Sequence, residues 1–171
     1  MFSYRRILLC VLLFAAAVVI ARPQGKPDFS GHWKQENDRC QPKRNGDVTL
    51  QIEHHGPELT VETSIARKDA TLRHATQKYT TDGKPSVSTG ADGDEFHTSI
   101  AWNESTLVFS IEEHEDGRIL QSKEMWSVIE DGRTLERIRE QPSGERQTLI
   151  YRRISVSDPE SKSGLDKAGE K

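Results

Sequence analysis

Two pairs of residues carry the chemistry that the chain suggests. Glu124 and Trp126 stand two apart, Arg137 and Arg139 stand two apart, and Asp131-Gly132 lies between the pairs. Residues two apart on a strand share a face, and Asp-Gly is a favoured hairpin turn. A two-residue turn there sets Trp126 opposite Arg137, Glu124 opposite Arg139 and Val128 opposite Leu135. The carboxylate then pairs with a guanidinium across strands, and Arg137 stacks on Trp126. Two guanidiniums against one carboxylate leave a cationic surplus. Enclosed charge must be paired or hydrogen-bonded, so the surplus suits the acidic end of a largely apolar ligand. The competing expectation is that the arginines lie at the rims, reach water along their apolar stems and close a solid core.

That placement requires strands, and the sequence supplies them. Val48, Leu50 and Ile52 alternate with Thr49, Gln51 and Glu53, and Leu59, Val61, Thr63 and Ile65 repeat the pattern. Period-2 alternation marks half-buried strands. Asp82-Gly83, a strong hairpin signal, Asp92-Gly93, Glu104-Ser105, Asp116-Gly117 and Ser143-Gly144 punctuate the rest as turns. The turn at Glu104-Ser105 sets Trp102 opposite Leu107 and Ile100 opposite Phe109. Asp116-Gly117 sets Leu107 opposite Trp126 and Phe109 opposite Glu124. Ser143-Gly144 sets Arg137 opposite Ile150 and Leu135 opposite Arg152. Phe96, Trp102, Phe109, Glu124, Trp126, Arg137, Arg139 and Arg152 therefore share the inner face. Carried through the Arg67–Ala70 turn, the same reasoning adds Thr63, His74, Thr76 and Lys78. The expected fold is all-β, an antiparallel up-and-down meander of about eight to ten strands closed into a barrel, which removes its edges.

Residues 29–154 hold this domain. Arg5 and Arg6 followed by the apolar run Ile7–Ile20 read as a helical secretion signal over residues 1–21, with cleavage after Ala21. The run is shorter than the roughly 20 apolar residues of a spanning helix, so no stable membrane insertion is expected after cleavage. Residues 22–28, with Pro23, Gly25 and Pro27, form an extended leader, and the Ser-, Asp-, Glu- and Lys-rich residues 155–171 a disordered tail. The expected location is outside the cell or in a periplasm. Only 33% of residues are hydrophobic, which by composition leans toward disorder; the strict alternation overrules it.

Several function classes drop out. The formal charge is −3, without the basic stripe of a nucleic-acid binder. Beyond the signal only Cys40 remains, so no internal disulfide is available. No nucleophile elbow, phosphate loop or calcium loop occurs. His54-His55 point to opposite faces and read as a surface turn. The acidic tips around Asp92–Glu95 and Glu112–Asp116 read as solvated turns, so no metal, cofactor or catalytic residue is expected. An acid–base pair of His74 and Glu124 is the one enzymatic alternative. Asn103-Glu104-Ser105 is a glycosylation sequon.

The stretch Phe29-Ser30-Gly31-His32-Trp33-Lys34 resembles the first strand of fatty-acid-binding proteins, and Gly31-x-Trp33 the signature of lipocalins and their calycin relatives. The resemblance implies a calycin barrel plugged by Trp33, with an arginine of the last strand packed over the indole. Arg152 is the position it implies, with Arg153 as fallback. It also implies that Tyr151 faces the ligand, because Leu149-Ile150-Tyr151 matches the family's Arg-x-Tyr without its arginine. The chain departs from the pattern in leaving no room for two helices at Asn37–Gly46. The function so implied is binding of a small hydrophobic or amphiphilic molecule. The alternative is a filled barrel acting as an envelope or extracellular protein-interaction module or inhibitor.

Overall fold

The computed structural model describes residues 25–67, 70–90, 93–115 and 117–155. The signal expected at residues 1–21 lies outside them, as does the expected tail beyond Ser155. Ten strands succeed one another: β1 (Gly31–Gln35), β2 (Asp47–His55), β3 (Glu58–Arg67), β4 (Ala70–Thr80), β5 (Pro85–Thr89), β6 (Glu95–Asn103), β7 (Thr106–Glu115), β8 (Arg118–Ile129), β9 (Thr134–Glu140) and β10 (Arg146–Ile154). A single 3-10 turn, Asn37–Arg39, interrupts the polar connection after β1. No helix among the described residues is long and apolar enough to cross a membrane.

The strands form one antiparallel sheet in the order β4-β3-β2-β1-β10-β9-β8-β7-β6-β5. Every hairpin neighbour pairs except β4 with β5, whose edges approach without sharing a ladder. The first strand pairs with the last, Trp33 opposite Arg153. The result is an up-and-down barrel, nearly closed, with its seam between β4 and β5. Its core is Phe29, Trp33, Leu50, Ile52, Ile100, Leu107, Leu135 and their neighbours, each almost fully buried. Each such side chain contributes about 1.5–3 kcal/mol relative to exposure, which is how a chain poor in apolar residues sustains a core.

From β6 to β9 the expected registers hold: Ile100 faces Phe109, Leu107 faces Trp126, Trp126 faces Arg137 and Glu124 faces Arg139. Two others shift by one residue. Between β9 and β10 the loop has three residues, Pro142-Ser143-Gly144; Gln141 N–H donates to Glu145 O, and Gly144 takes a left-handed φ of 83°. This is the three-residue hairpin with glycine in the left-handed region. Arg137 therefore faces Leu149 and Leu135 faces Tyr151. The slip turns Arg152 outward, where it meets Glu36 at 3.6 Å; it does not cover Trp33. Ile150 also faces out, but it is buried beside the fully buried thiol of Cys40, whose Sγ accepts its N–H.

Between β3 and β4 the turn joins Arg67 to Ala70 as expected, but a bulge follows: Ile65 pairs with Arg73, so two β4 residues oppose one on β3. Tyr79 is brought to the inner side, opposite Leu59, while Gln77, opposite Val61, stays exposed. His74, Thr76 and Lys78 are exposed. His74 Nδ1 instead meets Ser64 Oγ at 2.9 Å, which removes the His74–Glu124 acid–base pair.

One end of the barrel is plugged. Trp33 Nε1–H donates to Phe29 O at 3.0 Å, and both rings are fully buried. The Arg153 guanidinium lies 4.1 Å above the Trp33 ring. It donates to the carbonyls of Gly132, Asp28 and Ser30. Gly31 has a φ of 131°, and a Cβ there would stand 2.7 Å from Arg153 Nη1. The Gly-x-Trp spacing thus has a local cause: glycine clears the path by which the arginine reaches the indole.

Candidate ligand site

Above the plug, β8, β9 and β10 turn polar groups into the barrel, and β7 adds Phe109. Glu124 is 3% exposed and accepts four hydrogen bonds. Oε1 takes Trp126 Nε1–H at 2.7 Å and Arg137 Nε–H at 2.5 Å; Oε2 takes Arg139 Nε–H at 3.1 Å and Nη2–H at 2.9 Å. Burial alone would raise its pKa, but the two guanidiniums overcome this and hold it down at about 2. Arg137 lies 4.3 Å over Trp126 and 5.6 Å from the Tyr151 ring. Its proton is held the more tightly, burial being outweighed by Glu124.

The cluster has two cations and one anion. Its second cation is the accessible one: the Arg139 side chain is 38% exposed, against 11% for Arg137. Arg139 spends Nε and Nη2 on Glu124. Nη1 has no partner among the described residues.

A cleft of about 410 Å³ opens at the seam, lined by Thr76, Gln77, Lys78 and Tyr79 on β4 and by Ser86, Val87 and Ser88 on β5. Its volume is in the range of small-molecule sites. Tyr79 links it to the cluster. The ring meets Phe109 edge-on at 5.9 Å, and Phe109 lies 4.6 Å from Trp126. Burial raises the Tyr79 hydroxyl to about 12, while Arg137 pulls it down. Burial likewise raises Tyr151 against the pull of Arg137.

Of the residues expected from sequence, Phe109, Glu124, Trp126, Arg137, Arg139 and Tyr151 come together here. Two do not. Phe96 lies near the far end of β6, opposite Ser88 and Glu113. Trp102 is drawn to the plugged end, against Phe29 at 5.9 Å and His54 at 5.8 Å. Gly31 and Trp33 occupy the signature positions, and Arg153 does what Arg152 was expected to do. Sequence reasoning missed Tyr79, because a bulge leaves no reliable mark in the alternation. It also missed His54, whose Nε2 is buried without a partner; the run Val48, Leu50, Ile52 continues in parity to His54 and carried that signal.

No protein-family model and no curated protein matches the sequence. Solved structures do match in shape. The REP1-NXSQ fatty acid transporter aligns over 75% of this chain and 97% of its own, with a TM-score of 0.53 and 14% identity. The fold is a calycin-like barrel. A secretory abundant heat soluble protein from Ramazzottius varieornatus aligns over 74% of this chain and 95% of its own, with a TM-score of 0.57 and 14% identity. Zebrafish ileal bile acid-binding protein, complexed with cholic acid, aligns over 74% and 98%, with a TM-score of 0.51 and 12% identity. In this barrel the residues that plug one end are Trp33 and Arg153.

Proposed function

We propose that the chain is an exported, non-catalytic carrier that binds a small hydrophobic or amphiphilic molecule with an acidic head. The observation that carries the reading is the unbalanced cluster of Glu124, Arg137 and Arg139 at the inner end of an aromatic path from the seam. The apolar part of the guest lies along Tyr79 and Phe109 and is stabilised by leaving water. Its acidic head meets the unengaged edge of Arg139, a charge-assisted contact in a partly water-excluded setting. Fatty acids and bile acids, which named structural neighbours bind, fit that chemistry. The reading needs no cofactor.

The test uses a fluorescent anionic probe, anilinonaphthalene sulfonate, with purified protein. Enhanced emission that dodecanoate abolishes and dodecanol displaces poorly supports an acid-selective carrier. Arg139→Gln should erase that selectivity. Absence of any enhancement rejects the carrier.

A second reading is favoured by one observation: Arg137 itself fills the space between Trp126 and Tyr151. On this reading the barrel is solid and works through its surface, as an extracellular protein-interaction module or inhibitor. It predicts no probe binding, and a stability loss as the main effect of changing Arg137.

A further inference from the structure

The outer face of the β6–β7 hairpin carries a cluster unrelated to the interior. Glu95 and His97 are two apart on β6 and point the same way; His114 on β7 stands directly opposite Glu95. One potential ligand atom from each of these three residues lies within 4.8 Å of the others. The His97 and His114 rings stack at 4.5 Å with an interplanar angle of 15°. His97 Nε2 is hydrogen-bonded to the Glu95 carboxylate. His114 Nε2 is buried and has no hydrogen-bond partner. Unpaired buried polar atoms are uncommon and call for an explanation.

We propose that Glu95, His97 and His114 form a site for a divalent transition metal ion, with zinc as the best match. Two imidazoles and one carboxylate are the donor set of an open three-ligand zinc site, the fourth position falling to water. Imidazole with carboxylate favours zinc, copper or nickel over calcium and magnesium, which take all-oxygen sets. The strand geometry suits the set, because residues i and i+2 with a directly opposed cross-strand residue converge on one side of a sheet. The metal takes the lone pairs of two neutral imidazoles, and the hydrogen now on His97 Nε2 leaves as a proton or moves to the other ring nitrogen. Glu112, opposite His97 and held by Gln121 Nε2 at 3.1 Å, adds a second negative charge on the same face. Val87 opposite His97 and Ile119 opposite His114 are exposed apolar neighbours. They flank the site on both sides.

The experiment is calorimetric titration of zinc chloride into the full chain, purified without a polyhistidine tag, with native mass spectrometry for stoichiometry. The expected result is one zinc per chain and a raised unfolding temperature in its presence. His97→Ala and His114→Ala should each weaken binding at least by the roughly hundredfold that even loss of a supporting partner can cost. Glu95→Gln, which keeps size and shape, should weaken binding with the fold intact by circular dichroism. His55→Ala, on an exposed part of β2, should bind as the parent does. No stoichiometric zinc binding by the parent overturns the site. So does binding that survives in both His97→Ala and His114→Ala, or that His55→Ala abolishes.

Discussion

Two arginines of this barrel each lie over an indole, and they do opposite things. Arg153 covers Trp33 at 4.1 Å and Arg137 covers Trp126 at 4.3 Å. The stacking is the same; the acceptors differ. Arg153 is held by backbone carbonyls of Asp28, Ser30 and Gly132. These fix the segment leading into the first strand and the β8–β9 turn to the last strand. Arg137 is held by a carboxylate that it shares with Arg139. Carbonyls tie an arginine into the frame without introducing another charged group. A shared carboxylate leaves a local charge imbalance whose sign a guest can answer. The plugged end is therefore architecture, and the Glu124 cluster is where the barrel has something to offer.

That contrast can be broken in order of expected effect. Glu124→Gln keeps the volume but leaves two inward guanidiniums without their anion. It should cost on the order of 3–5 kcal/mol in denaturant unfolding, the range for breaking a buried pair from one side. A loss under 1 kcal/mol would mean that the cluster is far better hydrated than its burial implies.

Acid should act through the same residue. Glu124 is depressed from 4.5 to about 2 in the folded chain. A depressed carboxylate contributes stability that is fully present above its unfolded pKa and is lost as pH falls toward the folded value. The parent should therefore lose about 3 kcal/mol more than Glu124→Gln between pH 5 and pH 2, a difference set by the size of the shift. Parallel stability–pH curves for the two proteins would count against the cluster.

At the plug, Gly31→Ala must hold a φ of 131° and push Arg153 Nη1 from 2.7 Å. The expected loss is about 1–3 kcal/mol, with Trp33 fluorescence shifted toward that of a wetter indole. No anionic ligand should rescue it. The smallest stability effect belongs to Arg139→Gln. Its side chain is 38% exposed, and solvent-screened pairs are worth about 1 kcal/mol or less. The change should be visible in ligand selectivity while the unfolding midpoint hardly moves. A large stability loss with unchanged selectivity would make Arg139 a frame residue like Arg153.

Legibility from sequence followed the turns. Asp82-Gly83 reads as a hairpin but joins two strands, β4 and β5, that share no ladder. Where Glu104-Ser105, Asp116-Gly117 or Asp131-Gly132 joined two strands, the pairings of Leu107, Phe109, Glu124, Trp126, Arg137 and Arg139 could be written down from the turn alone. Those turns preserve register, even where the β8–β9 loop extends to put Glu130 and Asp131 at positive φ. Where Pro142 joined the turn, the register moved by one, and Arg152 exchanged places with Arg153. Where a bulge followed Ile65, His74 went out and Tyr79 came in. A bulge depends on how the strand must bend to continue around the barrel, and that is a property of the closed sheet. The outer-face site was hidden for a related reason. Glu95 and His97 sit in one acidic stretch and His114 in another, and only the β6–β7 register makes them neighbours.

The pairing of β1 with β10 has a kinetic side. Trp33 meets Arg153 across nearly the whole domain, so this ladder closes the largest loop in the fold. Closure entropy must be met before such contacts reward it, and topologies of this kind fold slowly. During synthesis β1 emerges early and its partner last, leaving an open strand edge and an uncovered indole until β10 arrives. Pulse-labelled hydrogen exchange should find the β6–β9 hairpins protected before the amides of β1. A variant that weakens the plug would then prolong the interval in which that edge can recruit another chain, so its first visible defect could be aggregation during synthesis.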